Sequence, residues 1–158
     1  MANVESLIVG REKLIRIFGY WPSFHDAEVL ELNFWRGDVQ PDKGIYDFPV
    51  LTLKVHLWEL TTKTDTDGYL ITRYHTLTTL KFYDVDDFQM AGFNHQNAMM
   101  GLVLSHEERK EAPSPYFAVK IDPAFGMGAS FKCLRIELSA AVSCTDEGIA
   151  ICEDTERE

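Results

Sequence analysis

This chain has little of what a secreted scaffold, a membrane protein or a nucleic-acid binder is built from. Its three cysteines, Cys133, Cys144 and Cys152, are odd in number and form no close pair, which argues against a disulfide framework and a zinc ribbon. Free thiols suit a reducing cytoplasm. No stretch approaches the ~18 continuous apolar residues of a membrane helix, and the N-terminus has no basic segment leading into an apolar run and a small-residue cleavage site. A cytoplasmic protein with no membrane partner is the expectation. Basic residues are scarce too: 15 Lys and Arg stand against 25 Asp and Glu, a formal charge of −10. Such a charge repels phosphate backbones, so direct nucleic-acid binding is disfavoured, and a basic protein is the complementary partner.

The motifs of catalysis are equally thin. There is no G-x-S-x-G elbow. Gly126-Met127-Gly128 lacks the later glycine and the following helix of a phosphate-cradling loop, so no cofactor is expected. His25, His56, His75, His95 and His106 stand singly, and Lys110 falls where a zincin helix starting at His106 needs its second histidine. Asp65-Thr66-Asp67-Gly68 resembles a piece of a calcium loop without its bidentate Glu; Asp67-Gly68 as a tight hairpin turn, with positive φ at both central residues, explains it better.

What the chain does have is a core and an alternation. With 158 residues, 46% of them apolar, it fills one domain over residues 1–152, followed by an acidic, flexible tail at 153–158. Over residues 4–18 the apolar positions Val4, Leu7, Ile8, Leu14, Ile15 and Phe18 recur at helical spacing, with Asn3 as N-cap and Gly19 as stop, which predicts one amphipathic helix. Period-two patterns predict strands at 25–36, 50–60, 69–74, 76–83, 88–91, 99–106, 116–122 and 130–141, with a charged loop at 107–115. The fold class expected is α+β: the N-terminal helix packed on a mostly antiparallel sheet of about seven strands.

Residues 20–36 are the most informative stretch. Trp21-Pro22 cannot continue a helix, and after Phe24 the positions Asp26, Glu28, Leu30, Leu32 and Phe34 share one strand face. Two carboxylates then stand at the mouth of the buried face, about 7 Å apart at strand spacing. Two readings are open. Asp26 accepts backbone N–H groups of the Trp-Pro turn while Glu28 pairs with Arg135 or a lysine, or His25, Asp26 and Glu28 carry a small metal-dependent hydrolase. Asn94, Gln96 and Asn97 close a loop by bonding its backbone.

The octet Trp21-Pro22-Ser23-Phe24-His25-Asp26-Ala27-Glu28 resembles the signature of the Immunity protein 50 family of bacterial polymorphic-toxin systems. The likeness continues through Phe93-Asn94-His95-Gln96-Asn97, Ala124-Phe125-Gly126 and Ser130-Phe131-Lys132-Cys133, and so spans roughly residues 19–139. The resemblance implies a cytoplasmic protein that binds and neutralises a cognate toxin, without catalysis. Its motif residues, Trp21, Pro22, Phe24, His25, Asp26, Glu28, Asn94, Gln96 and Asn97, then mainly build the fold.

Binding is left to the surface. Trp35, Tyr46, Trp58 and Tyr69 are candidate aromatic anchors. Asp65 and Asp67, Asp84, Asp86 and Asp87, and Glu107, Glu108 and Glu111 lie in predicted turns. If two of these loops converge, they form an acidic rim for a basic, nuclease-type toxin domain, which the protein neutralises by occlusion.

Overall fold

The computed structural model describes residues 3–108 and 115–151. The predicted tail, Cys152 and most of the charged loop, Glu111 included, lie outside the described residues. The predicted helix over 4–18 is interrupted: a 3-10 turn at Val4–Leu7 is followed by α1 at Glu12–Phe18. Gly10 makes the break with φ +84°, where an added Cβ would lie 2.3 Å from the carbonyl oxygen of Leu138. Asn3 precedes the 3-10 turn without a side-chain capping bond. Gly19 does end α1, at φ +85°. Leu14 and Phe18 are the buried face of this short helix.

The described residues form ten strands: β1 Glu28–Trp35, β2 Asp38–Gln40, β3 Ile45–Asp47, β4 Val50–Thr64, β5 Leu70–Tyr83, β6 Asp86–Ala91, β7 Met99–Glu107, β8 Tyr116–Pro123, β9 Gly128–Cys133 and β10 Arg135–Ser143. They form two four-stranded antiparallel sheets, ordered β1-β4-β5-β10 and β6-β9-β8-β7, and a separate two-stranded hairpin, β2-β3. The molecule is therefore mostly antiparallel β with one short helix, and its ten strands in three sheets replace the expected seven or so. The inner faces meet in one core: Leu51, Leu53, Val55 and Leu57 of β4 with Leu80 and Phe82 of β5 on one side, Phe117, Val119 and Ile121 of β8 with Phe131 of β9 on the other. Phe82 meets Phe131 edge-on at 4.9 Å across that core.

Two parity slips explain the misread strands. The run at 130–141 is not one strand but two, β9 and β10, in different sheets, divided at Leu134, so that Phe131 and Cys133 are buried in one register and Ile136 and Leu138 in the other. In β1 a bulge puts one extra residue, Leu30, between Val29 opposite Val55 and Glu31 opposite Lys54. Val29 faces the core before the bulge and Leu32 leans on it after, so Glu28 does not share the face of Leu32 and Phe34 as the uninterrupted alternation predicts. The runs at 69–74 and 76–83 are one strand, β5, kinked at Tyr74 where φ is +58°. The β4-β5 turn has positive φ at Gly68 alone. Its geometry is a Gly68 N–H bond to the Asp65 carbonyl, with the Asp65 carboxylate accepting the N–H groups of Asp67 and Tyr69.

Candidate functional site

Around Trp21 the backbone bends rather than extends. Pro22 and Phe24 are buried and Trp21 packs on Phe24 at 5.6 Å. Asp26 takes φ +69°, its N–H donates to the carbonyl of Met99, and Met99 N–H returns to Ala27. The carboxylate of Asp26 does not cap the turn; its Oδ2 lies 3.1 Å from His25 Nδ1, both side chains more than half exposed. Ser23 Oγ accepts the N–H of His25 instead. Among the described residues Glu28 pairs with neither Arg135 nor a lysine: its Oε1 accepts the backbone N–H of Asn97 at 2.7 Å.

Asn97, 3% exposed, ties three segments together. Its Oδ1 accepts the N–H groups of Asn94 at 2.9 Å and Met127 at 3.2 Å, and its Nδ2 donates to the carbonyls of Asn94 at 2.7 Å and Val29 at 3.3 Å. Asn94 Oδ1 accepts Gln96 N–H. Gly126 has φ +72°, and a Cβ there would lie 2.2 Å from the Gln96 carbonyl oxygen. The loop is thus closed by the side chains of Asn94 and Asn97, Gln96 contributing only its backbone N–H, and with Glu28 they tie together the β1 entry, the 94–97 corner and the Met127 bend.

This commitment leaves the hydrolase reading without support. Glu28 is held by a backbone donor, and the described residues bring together no group of three His, Cys, Asp or Glu side chains in metal-ligating geometry. The thiol of Cys133, fully buried, is pushed up to about 12 by that burial and by the nearby Asp84 carboxylate, the opposite of an activated nucleophile.

One side-chain cluster had no signal in the sequence, because it needs the β4-β5 register to form. His56 Nε2 lies 2.9 Å from His75 Nδ1, and His75 Nε2 lies 2.8 Å from Thr72 Oγ1, with Trp58 stacked on His75. His56 is buried beneath Gly148. Burial first, and the neighbouring His75 second, lower its pKa below the ordinary 6.5, with Asp146 opposing. The unfolded chain therefore binds the proton more readily than the folded one. The stability this contributes is complete above about pH 6.5 and is lost as pH falls toward the folded value. We expect the melting temperature to drop between pH 7 and pH 5, above the range in which carboxylates titrate, and the drop to be smaller in His56→Gln; equal slopes in the two proteins would rule out His56 as the source.

The candidate binding residues divide between two ends of the first sheet. Asp65, Asp67 and Tyr69 sit at the β4-β5 turn, while Asp84, Asp86 and Asp87 come after β5 at its other end; a 14-residue strand separates the groups by up to about 45 Å. They do not converge. Trp58, half-buried against His56 and His75, is a packing residue rather than an exposed anchor.

Trp35 lies at the Asp84 end. It pairs with Val50, which pairs with Tyr83, the last residue of β5. The hairpin β2-β3 projects beside it, held where the φ +83° of Gly37 lets the chain pass against Asp47 and Phe48; a Cβ there would lie 2.2 Å from the Asp47 carbonyl oxygen. Pro49 O accepts the N–H of Val85, which fixes the 84–87 turn to the same corner. Trp35, Val39, Tyr46 and Phe48 are all exposed, Tyr46 to 57%. Around them stand Asp38, Asp42, Asp47, Asp84, Asp86 and Asp87, with Arg36, Lys43, Lys132 and Arg135 the basic residues of the same strands and turns. Exposed aromatic residues beside mixed but mainly acidic charge are the composition that protein-binding surfaces draw on. The sequence pointed to Trp35 and Tyr46 singly, but Val39 and Phe48 carried no signal until the hairpin brought them together.

Compared with known proteins, residues 10–143 match the family described as Immunity protein 50. No curated protein and no solved structure matches.

Proposed function

Since the chain belongs to the Immunity protein 50 family, we propose that it binds and neutralises a cognate bacterial toxin in the cytoplasm by covering the toxin's working surface with the Trp35 end of the first sheet. The observation that carries the choice of this end is that Trp35, Val39, Tyr46 and Phe48 are all exposed on strands and turns that also carry six aspartates against four basic residues. Opposite fields speed the encounter, and desolvated aromatic anchors then set the lifetime of the complex. A basic, nuclease-type toxin domain is the partner this charge favours.

The test is kinetic. A toxin recovered on the tagged protein and identified by mass spectrometry serves as the probe in stopped-flow association. Asp84 and Asp87 hold φ of +58° and +57°, which Asn tolerates and Lys does not, so the variant is Asp84→Asn, Asp86→Lys, Asp87→Asn. Its association rate should fall about tenfold at low ionic strength and depend less steeply on salt. An unchanged rate and salt slope would move the interface elsewhere.

A further inference from the structure

After β10 the chain turns back on itself. Cys144 pairs with Ala150, Thr145 N–H bonds the Ile149 carbonyl and Gly148 N–H the Thr145 carbonyl, while Thr145 Oγ1 accepts the N–H groups of Glu147 and Ile149. Residues 144–151 are thus a turn held chiefly by its own bonds. Among the described residues it hydrogen-bonds outside itself twice, Cys144 N–H to the His75 carbonyl and Ile151 N–H to the Ser143 carbonyl. Ile149 and Ile151 are both more than half exposed, so little apolar contact fastens it. Beneath it lie the His56-His75 pair and the bulged Leu30. A Cβ on Gly148 would stand 3.2 Å from both His56 Nδ1 and Leu30 Cδ1.

The pair keeps its 2.9 Å bond in only some protonation states, because the space between His56 Nε2 and His75 Nδ1 holds one hydrogen, given by either ring. One added proton can sit on an outer nitrogen. A second puts a hydrogen on both facing nitrogens and two positive rings in contact, so the rings must part. β4 and β5 cannot slide to allow it, since His56 is fixed opposite Leu77 and Leu57 opposite Thr76. His75, half-buried, can turn away, but His56 is then left charged beneath Gly148, and water reaches it only when the turn above moves. We infer that residues 144–151 are an acid-released strap, closed over the neutral His56-His75 pair and lifted from the sheet when the pair is protonated, with Ser143 and Cys144 as its hinge. Opening uncovers Leu30 and His56, so the protein presents a different surface in acid.

The surrounding charges decide the direction. Lys54, two residues from His56 on β4, pairs with Glu31 of β1, and Glu28, opposite His56 in register, is engaged by the Asn97 N–H. Glu59 and Arg73 pair with each other, and the strap itself carries Asp146 and Glu147. Asp146 favours a charged His56 and His75 opposes it, but burial outweighs Asp146, so the closed state takes the proton less readily than the open one. Closure is therefore complete above about pH 6.5, the ordinary value of a freed imidazole, and is lost progressively as the pH falls below it.

The experiment follows the thiols of the full chain. Cys144, at the root of the strap, is 5% exposed, and Cys133 lies in the core at 0%. Labelling with a pyridyl disulfide, resolved cysteine by cysteine by mass spectrometry and expressed relative to free cysteine at the same pH, separates local opening from unfolding. Between about pH 6.5 and pH 5 the Cys144 rate should rise at least about tenfold, since each proton gained on opening multiplies the open population by up to about ten per pH unit. Cys133 should stay unlabelled. In His56→Gln the Cys144 rate should remain level over the same range. Gly148→Ala, which crowds the closed strap and strains its φ of +82°, should raise the Cys144 rate several-fold at neutral pH and leave Cys133 protected. A level Cys144 rate in the unaltered chain, a rise shared by Cys133, the same rise in His56→Gln, or indifference to Gly148→Ala would each overturn the strap.

Discussion

Asn97→Ala is expected to cost about 3–5 kcal/mol of stability, lowering the melting temperature by about 10 °C, because it strands several buried backbone groups at once. The side chain satisfies the N–H groups of Asn94 and Met127 and the carbonyls of Asn94 and Val29. At roughly 1 kcal/mol or more for each bond lost without replacement, the sum reaches that range even if one group finds water. Asn97→Asp discriminates further: it keeps the acceptor but loses both donors and buries a charge, so it should be destabilised at neutral pH and partly restored in acid, where the carboxyl protonates and regains one donor. Urea unfolding of the three proteins makes the comparison. A loss below about 1 kcal/mol for Asn97→Ala would mean that the 94–97 corner is held by Glu28 and Gly126 instead.

Tyr46→Ala should weaken toxin binding by about 30-fold, the ~2 kcal/mol typical of an aromatic anchor, with a stability change within about 0.5 kcal/mol. Tyr46 stands on the three-residue strand β3, outside the core, and is 57% exposed, so its ring has little to lose within the free protein. Tyr69→Ala is the matched control. That ring is 73% exposed at the opposite end of the sheet, and its removal should leave affinity unchanged. Titration calorimetry with the recovered toxin reads both. If Tyr69→Ala is the variant that loses affinity, the binding end is the β4-β5 turn, and the acidic group there is Asp65 and Asp67.

Much of the fold was visible in local alternation. Leu51, Leu53, Val55 and Leu57 lie on one face of a strand in sequence and in structure, because a central strand with one buried face has no freedom to slip. The loop closed by Asn94 and Asn97 was legible too, since short amides bond the nearest backbone. Single-residue events were the part that escaped. Leu30 in its bulge and Leu134 between β9 and β10 each invert the parity of the residues beyond them, and an alternation count reads such an inversion as noise. Gly10 fits a helical stripe in sequence, and only the approach of Leu138 shows why it ends one. The proposed binding end was half legible: charge and aromatic content named Trp35, Asp84, Asp86 and Asp87, while the length of β5 places Asp65 and Asp67 at the other end of the strand.

The passage of the chain from one sheet to the other after Tyr83, and its return at Leu134, has a consequence for synthesis. β10 closes the sheet that β1 opens more than a hundred residues earlier, and β6 to β9 must be in place for its partner core to exist. Leu80 and Phe82 therefore gain their β10 neighbours, Leu138 and Ile136, only after residues 135–143 have been made, and contacts of such long sequence separation form slowly. On the function proposed above, protection begins only once this late strand is in place, so the interval between translation and folding is a window in which a toxin acts unopposed.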